Sequence, residues 1–136
     1  MTLRNLFVLN AVVALAFAAG FLVIPGTLWT LYGLTPDAEV NLVGQYFAVE
    51  LVAVGLVSWL VRNVVDVAAL RGITLGLLIS DTIGLVLSLY AIFSGLFGAF
   101  GWSAVVVYLF FALGYGYFRF VRLEGGATAQ DRAVSG

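Results

Sequence analysis

Four long apolar stretches, separated by short polar segments, dominate the chain. They extend over residues 6–24, 44–61, 72–93 and 103–121. Each is close to the roughly 20 residues that a helix needs to cross a bilayer core of about 30 Å, and none shows the strict alternation of a membrane β-strand. The pattern predicts an all-α integral membrane protein, a four-helix transmembrane bundle formed by one domain of residues 1–123. Residues 124–136 are small and polar, and they are predicted to be a disordered tail.

The connection between the first two spans carries the signals of a short interfacial helix. Residues 25–32 are predicted to form it, with Pro25 in its first turn and Gly33 as its stop. The tripeptide Thr35-Pro36-Asp37 then has the order of an N-cap, a proline at the first helical position and an acid in the first turn. We therefore expect the second span to begin outside the membrane, at Pro36.

The composition agrees with a chain solvated by lipid and excludes several classes of function. Hydrophobic residues make up 63% of the chain and charged residues only 10%, against about a quarter in soluble domains. A net charge of −1 offers no basic surface for a nucleic acid, so no nucleic-acid partner is expected. The sequence has no cysteine and no histidine, which removes iron–sulfur clusters and the commonest ligands of haem, zinc and copper. We expect no cofactor and no metal.

The positive charges predict the topology. All six are arginines, and the four predicted spans place them on one side of the membrane: Arg4, Arg62, Arg71, Arg119, Arg122 and Arg132. The positive-inside rule then predicts that both termini are cytoplasmic, in the plasma (inner) membrane of a bacterium or archaeon. Tryptophan prefers the interface because its ring is half apolar and carries one N–H donor, and Trp29, Trp59 and Trp102 all fall at predicted span ends.

Two carboxylates lie inside the predicted spans, where no arginine is close enough to pair with them. Glu50 stands twelve residues before Arg62, or roughly 18 Å from it at 1.5 Å per residue, and Asp81 stands ten residues after Arg71, or roughly 15 Å. Both therefore lie near the membrane midplane. Because an intramembrane Asp costs about 2.5–3.5 kcal/mol, we expect both to face the bundle interior. We also expect at least one to be protonated at neutral pH and to donate a hydrogen bond to the other or to Tyr108.

Further polar side chains on the remaining spans complete a candidate site. Tyr108 comes out level with the two carboxylates, and Asn10 and Tyr115 fall nearer the arginine side. The candidate proton, cation or polar-ligand site therefore consists of Glu50, Asp81, Tyr108, Asn10 and Tyr115. Two interpretations stay open, since intramembrane acids often mark functional sites but can also serve as hydrogen-bonding groups that hold helices together.

The third span carries two overlapping stripes. Small residues recur at every fourth position, at Gly72, Gly76, Ser80, Gly84 and Ser88. Polar residues recur at every seventh position, at Thr74, Asp81 and Ser88. A repeated small-xxx-small stripe permits close approach of helix backbones, either within one bundle or against another subunit. Both packing arrangements remain possible at this point.

Two short segments resemble a known group of proteins. One is the predicted outer segment from Pro25 to Leu34, and the other is Tyr46 to Leu51, which opens the second span. Together with the span count and the two inside ends, they make the chain similar to the DoxX-like group of small four-span bacterial and archaeal membrane proteins. The resemblance implies this fold over roughly residues 6–121, and it implies no assigned activity, because fold alone does not fix function.

Three functional hypotheses follow. The first is a non-enzymatic accessory or scaffold subunit in the lipid bilayer, as a homo-oligomer or within a larger membrane complex. The alternative is a binding or transport protein for protons, a cation or a small amphipathic molecule, with Glu50 and Asp81 at the membrane midplane. An enzyme is the least favoured, because the sequence contains no Walker loop, nucleophile–base pair or dinucleotide fingerprint.

Overall fold

The computed structural model describes residues 1–123, and within this range all regular structure is helical. The helices are α1 (Leu3–Val23), α2 (Pro25–Leu31), α3 (Ala38–Val61), α4 (Val67–Phe93) and α5 (Gly101–Tyr117), the last continued by a π-helical turn (Phe118–Arg122). Helices α1, α3, α4 and α5 with its π turn are long and apolar enough to cross a membrane. The predicted all-α, four-helix membrane bundle is confirmed, and the chain is a small multi-pass membrane protein. The predicted disorder of residues 124–136 lies outside the described residues.

Side-chain caps define where three of the helices begin. Thr2 Oγ1 accepts a hydrogen bond from Asn5 N at 3.2 Å, and an aspartate carboxylate serves the same purpose before α3 and α4. At α3 the start predicted at Pro36 is wrong. Asp37 is the N-cap, since its Oδ1 accepts from Val40 N at 2.8 Å, and the helix begins one residue later at Ala38. Pro36 therefore remains in the loop, whereas α2 ends before Gly33 (φ 92°) as predicted.

The bundle is built from two antiparallel helix pairs. Helix α1 packs along α3, and α4 packs along α5, whereas α3 and α4 make almost no direct contact although they follow each other in the chain. Glycines permit the close approach in both pairs. A Cβ on Gly55 would lie 2.7 Å from Leu15 Cγ, and a Cβ on Gly84 would lie 2.6 Å from Tyr108 Cζ. The bundle therefore consists of two helix pairs, and its side between α3 and α4 is not closed.

The two stripes of α4 share Ser88 and differ in direction only in the first half of the helix. Thr74 and Ser88, from the seven-residue polar stripe, are buried, and their hydroxyls donate to backbone oxygens of their own helix. In the four-residue stripe, Gly84 packs against α5, but Gly72 and Gly76 have no atom within 4 Å of where a Cβ would stand. The small-residue stripe therefore packs within the bundle from Gly84 onward, and its first half faces outward.

The two helix pairs are joined by different contacts at the two ends of the bundle. One end, called here the arginine end, holds the five arginines of the described residues, at positions 4, 62, 71, 119 and 122. Its core contains Leu6 and Phe7 of α1 against Phe111 and Tyr115 of α5. At the opposite end, called here the α2 end, Gly98 N donates to Tyr32 O at 2.7 Å and so ties the α4–α5 loop to the segment after α2.

The arginine end also shows how individual arginines are held at a helix terminus. The Arg62 guanidinium lies 3.9 Å from the ring centroid of Trp59 and donates to the Trp59 carbonyl oxygen at the end of α3. Arg71 Nη2 donates to Leu123 O at 2.7 Å, where the helix that begins with α5 ends. Both contacts place a positive charge beside free carbonyl groups at a helix C-terminus, which the helix dipole favours.

Candidate functional site

A cavity of about 580 Å³ separates the two helix pairs. Every long helix contributes to its lining, together with Trp29 of α2 and the loops of the α2 end. Most of the lining is aliphatic or aromatic. The polar side chains among the lining residues are few: Asn10, Glu50, Ser80, Asp81, Ser88, the indole N–H of Trp29, and the phenols of Tyr32 and Tyr108. A mostly apolar pocket of this size with a small number of polar groups is typical of small-molecule sites.

Four of the five residues predicted for the candidate site line this one cavity. Asn10, Glu50, Asp81 and Tyr108 come from four different helices and converge on it. Tyr115 is fully buried beside the cavity at the arginine end, and its hydroxyl accepts a hydrogen bond from Asn10 Nδ2 at 2.8 Å. The predicted set is therefore brought together spatially, with Tyr115 behind Asn10 rather than in the lining.

Asp81 lies on the α4 wall of the cavity, one turn from the contact between α4 and α5. The Tyr108 ring rests on Gly84, and the Tyr108 side chain lines the same cavity as Asp81. Its Oδ2 atom is buried and has no hydrogen-bond partner among the described residues. A buried polar atom without a partner is costly, so this oxygen is a position where a ligand's donor would be stabilised.

Glu50 differs from Asp81 in its surroundings. It lines the cavity from α3 but is exposed, and α3 makes almost no contact with α4. Glu50 therefore faces the cavity between the helix pairs, on its open side. The predicted hydrogen bond is absent, since among residues 1–123 none joins Asp81 to Glu50 or to Tyr108. The gap between α3 and α4, which the sequence pattern did not indicate, separates the two carboxylates.

A buried polar cluster, which contains one residue that the sequence reasoning missed, ties three helices together. Asn10 Nδ2 of α1 donates to Ser58 Oγ of α3 at 3.2 Å and to Tyr115 Oη of α5 at 2.8 Å. Ser58 is 0% exposed. Two signals could have found it: it is the only serine or threonine of α3, and it continues a buried small-residue stripe with Ala48 and Gly55.

Aromatic side chains line the cavity at the α2 end, among them Trp29, which the sequence analysis had assigned only to the membrane interface. Phe21 lies 4.8 Å from Trp29 between ring centroids, and Tyr32 lies 5.0 Å from Phe97. Trp29 Nε1 donates to Val40 O at 3.1 Å, which fixes α2 over the start of α3. Burial raises the pKa of the Tyr32 phenol above its ordinary value, and the polar Ser103 side chain nearby opposes this in part.

The donor set of the described residues can serve an organic ligand. No group of three or more His, Cys, Asp or Glu side chains occurs among them that could hold a metal ion. Two carboxyl groups, an amide and a phenol can still accept and donate hydrogen bonds to an organic ligand. No protein-family model, curated protein or solved structure matches the chain. The resemblance to the DoxX-like group stays a prediction that rests on the segments quoted above.

Proposed function

We propose that this membrane protein binds a small amphipathic molecule in the cavity between its helix pairs, as a binding or transport protein. One observation carries the proposal: a mostly apolar cavity of about 580 Å³ contains a buried carboxyl oxygen of Asp81 without a hydrogen-bond partner in the described chain. An apolar wall suits the ligand's hydrocarbon part, and the carboxyl group suits a polar head.

The geometry favours this function over the other interpretations of the two acids. If Glu50 and Asp81 served only to hold helices together, they would hydrogen-bond across a helix contact, but α3 and α4 barely touch. A site for a bare proton or cation would not need a cavity that extends to Phe21 and Trp29 at the α2 end. An amphipathic molecule uses both the polar and the apolar parts of the lining.

Filling the cavity should weaken ligand binding. Ala91 and Ala104 are half-buried cavity residues on α4 and α5, so Ala91→Phe or Ala104→Phe places a ring in the ligand's volume. We expect at least a tenfold loss of affinity, about 1.4 kcal/mol. The measurement is saturable binding of tritiated 1-dodecanol and dodecylamine to the protein in phosphatidylcholine nanodiscs, with empty nanodiscs as background.

The matched control is Ala53→Phe, because Ala53 is exposed on α3 and does not line the cavity. This variant should bind both probes as the unaltered protein does. If the unaltered protein shows no saturable binding of either probe, or if the three variants bind alike, the cavity is not a ligand site and the proposal fails.

A second candidate function is an accessory or scaffold subunit, and the outward glycines of α4 favour it. Gly72 and Gly76 face away from the bundle with nothing within 4 Å, and this spacing allows a partner helix to approach closely. Because the chain has no cysteine, Gly76→Cys introduces a single thiol. If the protein is a homo-oligomer through this face, oxidation in native membranes should give disulfide-linked dimers for Gly76→Cys and not for Val86→Cys, an exposed position elsewhere on α4.

A further inference from the structure

The cavity is closed at the arginine end. Leu6 and Phe7 of α1 pack there against Phe111 and Tyr115 of α5, and all four side chains are nearly inaccessible. The hydrogen bonds from Asn10 to Ser58 and Tyr115 join α1, α3 and α5 directly below the cavity. A ligand therefore has no path between the helices at this end without breaking packed contacts and buried hydrogen bonds.

The α2 end is closed as well. The Tyr32 ring is 6% exposed and lies 5.0 Å from the ring centroids of both Phe97 and Phe100. The hydrogen bond from Gly98 N to Tyr32 O holds the α4–α5 loop against the segment that follows α2. Trp29 adds a further aromatic ring to the lining at this end.

The remaining side, between α3 and α4, is open. Cavity residues of α1 are shielded, as Ala14 (5% exposed) and Phe21 (2%) show. Cavity residues of α3 and α4 are accessible, with Phe47 at 38% and Leu87 at 61%. Glu50 and Ser80 are exposed lining residues on the same two helices. We call this gap between α3 and α4 the lateral opening.

The position of the lateral opening restricts what can pass through it. Glu50 and Asp81 lie twelve and ten residues from the arginines that flank the α3–α4 loop, which is about half the thickness of a bilayer core at 1.5 Å per residue. The opening therefore faces hydrocarbon. Ions and strongly polar solutes are excluded from hydrocarbon, whereas a molecule that is already dissolved in the bilayer is not.

The polar groups beside the lateral opening favour a ligand whose head group donates hydrogen bonds over one whose head group only accepts them. Glu50 and Asp81 are the acidic residues of the cavity, and the arginines of residues 1–123 all lie at the arginine end, so none of these arginines pairs with them. Asp81 Oδ2 is buried and lacks a donor within the described part of the chain. Tyr108 and Phe17 add aromatic faces to the same lining, and such faces attract ammonium groups.

We propose that the ligand is an amphipathic amine, taken up from the bilayer through the lateral opening and held with its nitrogen at Asp81 and Glu50. This inference rests on the proposed function. The amine arrives as the neutral base, and one proton passes from a protonated carboxyl group to its nitrogen lone pair. An ammonium–carboxylate pair forms without net charge crossing the hydrocarbon. The alkyl part lies along the aromatic lining toward Trp29.

The head group is tested by comparing two probes of equal chain length, dodecylamine and 1-dodecanol, in nanodiscs of the full chain. The unaltered protein should bind the amine at least tenfold more tightly than the alcohol. Asp81→Asn keeps the shape but loses the proton donor and the charge, so it should remove the preference while 1-dodecanol still binds. Glu50→Gln should reduce the preference less, because Glu50 is the more exposed of the two.

Each result of this comparison has a distinct meaning. Equal affinity for the two probes in the unaltered protein would overturn the amine assignment and leave the proposed function standing. A preference that survives in both Asp81→Asn and Glu50→Gln would overturn the assigned position of the nitrogen. Absence of saturable binding for both probes would instead be the failure of the proposed function itself.

The route is tested by obstructing the lateral opening. Ser80 and Leu87 are exposed residues at its α4 edge, so Ser80→Trp and Leu87→Trp should slow both uptake and release of dodecylamine at least tenfold. The control is Ile79→Trp, since Ile79 is exposed on α4 but outside the cavity lining. Unchanged rates in both opening variants, or a loss of affinity without slower release, would overturn the lateral route.

Discussion

Replacing Gly84 with isoleucine should lower the free energy of unfolding by about 1–3 kcal/mol, whereas the same replacement at Gly76 should not. A Cβ on Gly84 would lie 2.6 Å from Tyr108 Cζ, so α4 and α5 would have to move apart. A Cβ on Gly76 meets nothing within 4 Å. Both glycines belong to the same helix and to the same four-residue stripe, which makes the pair a matched comparison.

The measurement is reversible unfolding of the monomer in mixed micelles, titrated with a denaturing detergent and followed by helical circular dichroism. At Gly76 the outcome should be neutral or slightly stabilising, because glycine costs up to about 1 kcal/mol relative to other residues in a helix interior. Equal destabilisation at the two positions would contradict the packing described for α4, and a tolerated Gly84→Ile would contradict the Tyr108 contact.

The second large effect is expected at Asn10. Asn10→Leu removes two hydrogen bonds at once and leaves the hydroxyls of Ser58 and Tyr115 without the amide that joins them. Interhelical hydrogen bonds in membranes contribute on average about 0.6 kcal/mol and at most about 1.7 kcal/mol each, so a loss of about 1–3 kcal/mol is expected. The change should also loosen the closed arginine end of the cavity.

A double-mutant cycle separates the hydrogen bond from general repacking. Asn10→Leu, Tyr115→Phe and the combined variant are unfolded under the same conditions, and the coupling energy between the two positions should be about 0.6 kcal/mol or more. Asn5→Leu is the control, because Asn5 lies on the same helix but is exposed. Additive effects at positions 10 and 115 would show that the Asn10–Tyr115 bond does not stabilise the bundle.

The depth of most candidate-site residues in the membrane could be predicted by counting residues along the chain. Counting residues from the nearest arginine placed Glu50, Asp81 and Tyr108 near one depth, and all three line one cavity. Depth follows from the fixed rise of a helix, so this inference needs no knowledge of packing. The same arithmetic says nothing about rotation around the helix axis, which is why it could not distinguish half-buried Asp81 from exposed Glu50.

The rotation of each helix about its own axis could not be predicted, because each span is apolar on almost all of its faces. In a soluble helix the boundary between polar and apolar faces indicates which side is buried, but lipid tails are as apolar as a protein core. Ser58 was missed for this reason, although it is fully buried in α3. The four-residue spacing on α4 does not indicate which way its small residues face, so only the packing shows that Gly76 faces outward.

The sequence by itself determined the number of spans, the short α2 helix and the gathering of the described arginines at one end, because length, hydropathy and charge are local properties of a segment. Only the tertiary structure decided that α3 and α4 stay apart. Helix pairing depends on how small side chains and rings fit across a contact, as at Gly55 with Leu15 and Gly84 with Tyr108. The cavity and its lateral opening are consequences of that pairing, since the two pairs make almost no contact between α3 and α4.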